Sequence, residues 1–237
     1  MPKENRWNIA QNYEKAWWEQ RQDLVDFDFY RAYARELIEK TKEVITIQPT
    51  TAILEIGSGA GGILTFLDSN DRHAIDPLES FYGSVPTFHQ QRDPGVHYKT
   101  AQAEDLPYEE NRFDLVICDN VLDHCENVQQ VFAEIRRVMR PKSVLYLRVN
   151  LYTTWGKFVR LIVEKLKIDP GHPYTFTRHS IQDYFDNQNL HVIRHEEFGF
   201  FNAWVKEIKS FKPKEMIKAL TFSSPNKSLY VLKRVES

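Results

Sequence analysis

The amino-acid sequence predicts an α/β protein: a doubly wound, seven-stranded, mostly parallel sheet with helices on both faces and an antiparallel hairpin at its C-terminal edge. Three observations support this prediction. Short apolar runs alternate with helical segments between residues 50 and 150, which is typical of parallel βαβ units. Four of the nine glycines stand at positions 57, 59, 61 and 62, directly after the first of these runs. Residues 128–139 carry apolar side chains at helical spacing, which indicates an amphipathic helix.

The N-terminal region, residues 1–48, is predicted to be helical and is rich in aromatic side chains. Its clearest helical periodicity runs from Asp28 to about Thr46. The apolar residues that recur there are Phe29, Tyr33, Leu37, Ile38 and Val44. Pro49 ends the pattern, because proline cannot continue a helix without losing a backbone hydrogen bond.

Seven short segments are predicted to be strands, of which residues 51–56 form the clearest apolar run. They are residues 51–56, 72–76, 96–102, 113–120, 143–149, 191–198 and 228–235. Helices are predicted at 61–70, 78–92, 128–139 and 155–168 and up to about Asn187, with a partly helical stretch over 201–226. Ser180 and Asp183 resemble a capping box at the start of the helix that ends near Asn187.

Charge and composition exclude several classes of function. The chain has 237 residues with 31 Lys+Arg and 33 Asp+Glu, so it lacks the excess positive charge of a general nucleic-acid or membrane-surface binder. Its two cysteines, Cys118 and Cys125, are too few for a disulfide framework, and no metal site is expected. The N-terminus has no apolar signal segment, and no apolar run approaches the roughly 18 residues of a membrane span. We therefore expect a cytoplasmic protein.

The glycine cluster follows a buried strand, where glycine lets backbone N–H groups approach a ligand closely. Asp76 ends the next strand, 19 positions after Gly57, a spacing at which a carboxylate binds the hydroxyls of a ribose. NAD and S-adenosylmethionine both carry such a ribose. Glu55, two residues before Gly57, favours a ligand with an ammonium and a sulfonium over the pyrophosphate of NAD. The alternative for Glu55 is a solvated charge at the end of the strand.

Two stretches resemble a known family. ILEIGSGAGG (53–62) resembles motif I of the class I S-adenosylmethionine-dependent methyltransferases. AEDLPYEENRFDLVICDNVLDHCENVQQVFAEIRRVMRP (103–141) is similar to the ubiquinone/menaquinone-biosynthesis-type branch, methyltransferase type 11. One departure is Pro141-Lys142-Ser143, where the family usually has P-G-G. The resemblance implies a Rossmann-like fold, S-adenosyl-L-methionine as cofactor, and methyl transfer to an O, N or C nucleophile of a small molecule.

The resemblance also implies which residues bind the cofactor. Gly57 and Gly59 would pack against its methionyl and ribose parts, and Asp76 would hold the ribose. The full set is Tyr13, Glu55, Gly57, Ser58, Gly59, Asp76, Ala103, Glu104, Asp119 and Asn120, with Ala103 and Glu104 at the adenine and Asp119 and Asn120 at the methionyl end. Two alternatives stay open: Glu104 could belong to a solvated acidic turn, and Asp119 and Asn120 could cap a helix.

Methyl transfer from a sulfonium is an in-line displacement, so the protein contributes mainly by positioning the acceptor and excluding water. A general base is needed only where the acceptor must lose a proton. The candidate bases are His124, after the fourth predicted strand, and His172, in a loop after the fifth. Asp123 is a weaker candidate, and either histidine could instead be structural.

The chain is predicted to be a single domain, residues 1–237. Its parts are an N-terminal helical cover (1–48), a cofactor-binding core (49–150) and a C-terminal half (151–237) with cover insertions at 151–176 and 201–226. The aromatic residues of these insertions, Tyr152, Trp155, Phe200, Phe201 and Trp204, could instead form a dimer interface, so a monomer and a homodimer both stay open. Two other functions also stay open: an NAD(P)-dependent oxidoreductase and a non-catalytic, cofactor-binding member of the fold.

Overall fold

A single seven-stranded sheet organises the protein in the computed structural model, which describes residues 6–22, 27–165, 174–210, 216, 219–221 and 223–235. The strands are β1 (Ala52–Ile56), β2 (Asp71–Asp76), β3 (Val96–Thr100), β4 (Phe113–Asp119), β5 (Met139–Leu151), β6 (Leu190–Glu197) and β7 (Asn226–Arg234). Their order is β3-β2-β1-β4-β5-β7-β6, in which β1 to β5 are parallel and β7 pairs antiparallel with both β5 and β6. The predicted fold class is confirmed.

Eight α-helices are described, and they lie close to the predicted segments. They are α1 (Arg6–Glu19), α2 (Phe27–Thr41), α3 (Glu79–Tyr82), α4 (Pro86–His89), α5 (Val128–Val138), α6 (Thr154–Lys165), α7 (Arg178–Asn187) and α8 (Phe200–Lys209). Single turns of 3-10 helix span Leu64–Phe66 and Leu122–His124. None of the helices in the described part of the chain is long and apolar enough to cross a membrane.

Two of the predicted helices are shorter than expected. The segment 61–70 holds only the 3-10 turn at Leu64–Phe66, because Gly62 has a left-handed backbone (φ 65°) and separates that turn from the glycines before it. The segment 78–92 is divided into α3 and α4, since Pro86 begins a second helix with its own first turn.

Helix α2 ends at Thr41, five residues before the predicted end near Thr46. Thr41 donates its hydroxyl hydrogen to Leu37 O (2.8 Å), and both residues are buried. The predicted apolar face was partly wrong, because Phe29 is 51% exposed and Ile38 43% exposed. The buried face of α2 is formed instead by Phe27, Ala34, Leu37 and Thr41.

The capping box of α7 is formed by Thr177 and Ser180, so the predicted pair Ser180 and Asp183 was wrong. Thr177 accepts the N–H of Ser180 on its hydroxyl (3.2 Å), and Ser180 Oγ accepts the N–H of Thr177 (2.9 Å). Thr177 has extended backbone angles, as an N-cap residue requires, whereas Ser180 already lies inside the helix.

Each face of the sheet carries its own apolar core, because successive strand residues point to opposite faces. On one face Phe132 and Ile135 of α5 and Phe185 of α7 belong to the same cluster as β4 and β5 side chains. On the other face Ala34 and Leu37 of α2 pack with side chains of β1, β4 and β7. Helix α2 also reaches the glycines that follow β1, since a Cβ at Gly61 would meet Tyr30, and ligands bind at this carboxyl edge in open α/β sheets.

Candidate functional site

The turn that follows β1 contains Gly57, Gly59, Gly61 and Gly62 and is here called the glycine turn. It connects β1 to the rest of the predicted site. Gly57, Gly59 and Gly62 have positive φ angles of 71°, 56° and 65°, which glycine adopts without the steric cost that other residues incur. The N–H groups of Gly57 and Ser58 donate to Ile75 O on β2 (2.8 and 3.2 Å), so the turn is held against the neighbouring strand. A Cβ at Gly57 would lie 2.3 Å from Val121 Cγ2, so a side chain there requires Val121 to shift.

Asp76, at the carboxyl end of β2, faces this turn. Its Oδ2 accepts the N–H of Gly59 (3.0 Å) and its Oδ1 accepts the N–H of Leu78 (2.8 Å). Burial raises the pKa of Asp76 to about 6, although the two N–H donors lower it and the nearby Glu14 and Glu79 raise it further. The carboxylate is thus oriented by the backbone and is ready to accept hydroxyl hydrogens.

Glu55 is only 5% exposed, so the solvated strand-end alternative was wrong. Both carboxylate oxygens accept the N–H of Ile63 (3.1 and 3.0 Å), and Oε2 also lies 3.4 Å from the N of Leu64. Burial raises the pKa of Glu55 to about 8, against the lowering effect of these donors. Glu55 therefore holds the end of the glycine turn through the N–H groups that follow Gly62. It also lines the cavity described next.

A cavity of about 260 Å³, here called the first cavity, opens at the carboxyl ends of β1, β2 and β4. Nine of the ten predicted cofactor residues line it: Glu55, Gly57, Ser58, Gly59, Asp76, Ala103, Glu104, Asp119 and Asn120. The tenth, Tyr13, is 46% exposed and is not among the lining residues. The same helix contributes Trp7, Gln11, Glu14 and Trp18 to the lining instead.

Asp119 and Asn120 follow β4 and lie together. Asn120 Nδ2 donates to Asp119 Oδ1 (2.7 Å), and Asn120 has a left-handed backbone (φ 55°). Burial raises the pKa of Asp119 to about 6, while Arg148 and Lys227 lower it. The helix-cap alternative was wrong, since the 3-10 turn at Leu122–His124 has no side-chain cap and α5 is capped by Asn127.

Glu104 is tied to the start of α5. Its Oε1 accepts the N–H groups of Glu126 (2.7 Å) and Asn127 (3.1 Å). It is therefore bound to protein rather than only solvated, and it lines the first cavity beside Ala103. Ala103 is buried, so it presents mainly its backbone and a methyl group.

His124 lines the first cavity, and its Nε2 lies 3.9 Å from Asp123 Oδ1. Its side chain is 26% exposed, so it faces the cavity with partial access to solvent. The other predicted base, His172, lies outside the described residues, as do the side chains of Phe200 and Phe201.

Aromatic side chains of helices α1 and α2 form one wall of the first cavity. The sequence predicted an aromatic helical cover but not which of its residues line the cavity. Trp18 packs edge-on against Tyr82 and Phe88, with ring centroids 5.8 Å apart in both pairs. A Cβ at Gly61 would lie 2.7 Å from Tyr30 Cε2, so α2 packs directly on the glycine turn. Phe29, Tyr30 and Tyr33 all line the cavity. The aromatic density of residues 1–48 was the signal that pointed to this wall.

The electrostatic character of the first cavity is acidic. Among the described residues, Glu14, Glu55, Asp76, Glu104 and Asp119 line it, and no Lys or Arg does. Since burial leaves Glu55, Asp76 and Asp119 with raised pKa values, a positive ligand charge would stabilise their ionised forms. The residues present fit a cofactor with an ammonium, a sulfonium and a ribose, and they do not fit a pyrophosphate.

A second cavity of about 230 Å³ adjoins the first. Tyr33 and Asn120 line both cavities. The second cavity is otherwise lined by Glu36, Arg148, Val149, Phe198, Lys227 and Ser228. A ligand in this space would lie next to the predicted methionyl end of the cofactor site.

The insertions expected to complete a cover, 151–176 and 201–226, contact each other. Trp155 Nε1 donates to Thr221 O (2.9 Å), which joins the two segments, whereas the bond from Trp204 Nε1 to Ala219 O (2.9 Å) lies within 201–226. Within the described part of the chain, no residue of 151–176 or 201–226 lines either cavity. Trp155 and Phe158 are 58% and 54% exposed, so an apolar surface lies on this side of the protein.

Part of the chain matches a known protein family. Residues 54–147 match the family described as methyltransferase domain. The ubiquinone biosynthesis O-methyltransferase of Rickettsia bellii is 30% identical over 110 residues, which cover 46% of this chain and 45% of that protein. The chain thus matches less than half of the length of this relative.

Two solved structures share the fold. Geranyl diphosphate C-methyltransferase from Streptomyces coelicolor, solved with Mg²⁺, geranyl diphosphate and S-adenosyl-L-homocysteine, has a TM-score of 0.66 at 14% identity over 86% of this chain and 79% of that one. Phosphoethanolamine N-methyltransferase 2 from Haemonchus contortus has a TM-score of 0.62 at 14% identity over 85% of this chain and 53% of that one.

Proposed function

We propose that this chain, which carries a class I S-adenosylmethionine-dependent methyltransferase domain of the type 11 branch, transfers a methyl group to an O, N or C nucleophile of a small molecule. The observation that carries the proposal is the acidic first cavity, in which a glycine turn and buried carboxylates meet at the carboxyl ends of three parallel strands. Such a cavity selects a cofactor with positive charge and a ribose.

Each part of the cavity is assigned a role in binding the cofactor. Asp76 accepts hydrogen bonds from the ribose hydroxyls, and the backbones of Gly57 and Gly59 lie against the ribose and methionyl parts. Asp119 and Asn120 hold the methionyl end. Ala103 and Glu104 border the adenine. Their shared position in the lining of the first cavity supports this assignment.

When bound, S-adenosylmethionine supplies an electrophilic methyl group attached to a good leaving group. The chain holds the acceptor in line with this methyl group and keeps water away from it. His124 lines the cavity and is the described residue placed to take a proton from an acceptor that must lose one. His172 remains a second candidate base.

The N-terminal helices act as the cover of the cofactor. Trp7 and Trp18 of α1 and Tyr30 of α2 line the first cavity, which supports a covering role for residues 1–48. Segments 151–176 and 201–226 are proposed to close over the acceptor when both ligands are bound. The chain would then exclude water from both reactants, which methyl transfer requires.

A transfer assay tests this function. The full chain is incubated with methyl-labelled S-adenosylmethionine and, in parallel, with extracted small molecules, with nucleic acid and with total protein. We expect label to enter the small-molecule fraction and S-adenosylhomocysteine to accumulate in step. Label in nucleic acid or protein would contradict the proposed acceptor class. Cofactor binding without any transfer would favour a non-catalytic, cofactor-binding protein.

A further inference from the structure

The second cavity lies between helix α2 and one face of the sheet. Arg148 pairs with Leu229 and Asn150 pairs with Lys227 in the β5–β7 ladder. Because paired residues share a face and residues alternate along a strand, Arg148 and Lys227 project toward the same side of the sheet. Tyr33 and Glu36 of α2 form the opposite wall, and Phe198 closes one side.

Arg148 is largely buried, and its only close carboxylate partner among the described residues is Glu36. It is 9% exposed, its Nη2 lies 2.5 Å from Glu36 Oε2, and its Nη1 lies 3.9 Å from Asp119 Oδ2. Its Nε has no hydrogen-bond partner among the described residues. Arg148 lines the second cavity, and 3.9 Å is beyond hydrogen-bond distance, so its guanidinium keeps donor capacity for a ligand acceptor in that cavity.

Lys227 adds a second positive charge to the same cavity. It lines the cavity and is exposed, and no carboxylate among the described residues forms an ion pair with it. The guanidinium of Arg148 also lies over the ring of Tyr33 (4.2 Å) and near that of Phe198 (5.5 Å). The cavity is therefore lined by the cationic groups of Arg148 and Lys227 and by the aromatic rings of Tyr33 and Phe198. The carboxylate of Glu36 lines it as well.

We propose that the second cavity binds the methyl acceptor and that this acceptor carries a carboxylate, held by the Arg148 guanidinium and the Lys227 ammonium, which both line the cavity; this inference rests on the proposed function. A carboxylate fits better than a phosphate, because Glu36 and Asp119 already flank Arg148 and their negative charges disfavour a dianion. Tyr33 and Asn120 connect the two cavities, so such an acceptor would reach the methionyl end of the first one.

The experiment compares benzoate, benzamide and phenyl phosphate, which share a planar ring and differ in charge. Their dissociation constants are measured by ligand-observed NMR on the full chain saturated with S-adenosylhomocysteine. We expect benzoate to bind about two- to fivefold more tightly than benzamide or phenyl phosphate, the scale of one accessible ion pair. Lys227→Gln should remove most of this preference. Lys233→Gln, on the same strand but away from the cavity, should retain it.

Several results would overturn the inference. Equal affinities for benzoate and benzamide, undetectable benzoate binding, or an unchanged preference in Lys227→Gln would each contradict carboxylate recognition. Tighter binding of phenyl phosphate would replace the carboxylate by a phosphate and also contradict it. Failure to saturate the chain with S-adenosylhomocysteine would be seen first and would refute the proposed function itself, and this inference with it.

Discussion

Gly57 and Gly59 differ in what surrounds them, although both have left-handed backbones. A Cβ at Gly57 would collide with Val121 at 2.3 Å, whereas the nearest atom to a Cβ at Gly59 is Trp18 Cζ2 at 3.8 Å. Gly57→Ala therefore adds a steric clash to the backbone cost, while Gly59→Ala incurs only the backbone cost of about 1–2 kcal/mol.

We expect Gly57→Ala to lower the free energy of unfolding by at least about 1 kcal/mol more than Gly59→Ala does. Urea denaturation of the two variants measures this difference, and each variant is the control for the other. Equal destabilisation would show that Val121 moves aside and that the turn tolerates a side chain at position 57.

Asp76 is the residue whose substitution should affect the cofactor most directly. Asp76→Asn retains the size of the side chain but removes one anionic acceptor, so S-adenosylhomocysteine should bind more weakly by about 1.5–3 kcal/mol. Asp71→Asn makes the same change at the other end of β2, where Asp71 pairs with Arg112, and should leave the affinity unchanged. Calorimetric titration compares the two. Equal affinities for wild type and Asp76→Asn would mean that the ribose is held elsewhere.

At this scale, the sequence identified residues whose roles depend on local spacing. Gly57, Gly59 and Asp76 could be predicted because a strand, a turn and the next strand place them together without reference to the rest of the chain. The hydrogen bonds from Ile63 and Leu64 to Glu55 could not be predicted, since they depend on how the glycine turn folds back. Thr177 and Ser180 show the same limit, because either residue satisfies the capping pattern and only the backbone angles decide.

Helix α1 carries two adjacent tryptophans with different surroundings. Trp18 lines the first cavity and packs on Tyr82 and Phe88, whereas Trp17 is 39% exposed and does not line the cavity. Trp18→Ala should weaken S-adenosylhomocysteine binding by about 1–2 kcal/mol, because a large aromatic contact is lost. Trp17→Ala should have little effect. Fluorescence or calorimetric titration measures both, and equal effects would contradict the covering role of α1.

At the scale of elements, the strands and long helices could be predicted from periodicity, while short helices and helix ends could not. The segment 61–70 contains apolar residues at helical spacing, but Gly62 and Glu55 hold its start in another geometry. The contribution of α1 and α2 to the cavity depends on where these helices pack on the sheet. No local motif predicts where these helices pack. Only the density of aromatic residues in 1–48 indicated that this region covers the site.

For the molecule as a whole, the alternation of strands and helices predicted the sheet, because parallel strands need crossover connections. The order of β7 between β5 and β6 completes the predicted antiparallel edge. The family match over residues 54–147 covers the part of the chain where the predicted motifs lie. The second cavity is lined by residues of α2 and β7 and by Phe198, which are far apart in sequence, so it could not be predicted.

The acidity of the first cavity predicts a pH dependence. Burial raises the pKa of Asp76 and of Asp119 to about 6 from an ordinary value of 3.8. Between about pH 4 and 6 the folded state therefore binds more protons than the unfolded state, and these two groups make the protein less stable as the pH rises through this window. A cationic ligand stabilises the ionised carboxylates and lowers their pKa values.

We expect S-adenosylmethionine binding at pH 6 to release protons, and its affinity to fall as the pH is lowered from about 7 to 5. Titration calorimetry at pH 6 in two buffers with different ionisation enthalpies detects the released protons. The same titration of Asp119→Asn at pH 6 is the control, since that variant lacks one of the two titrating carboxyl groups and should release fewer protons. A binding enthalpy that is independent of buffer at pH 6 would contradict the coupling.

The central claim is that the first cavity binds a cationic methyl donor. A calorimetric comparison of S-adenosylmethionine with NAD, on the full chain near neutral pH, tests this claim most directly. The acidic lining, without Lys or Arg among the described residues, predicts dissociation constants in the micromolar range for S-adenosylmethionine and no measurable binding of NAD. Binding of NAD as tight as that of S-adenosylmethionine would contradict the claim.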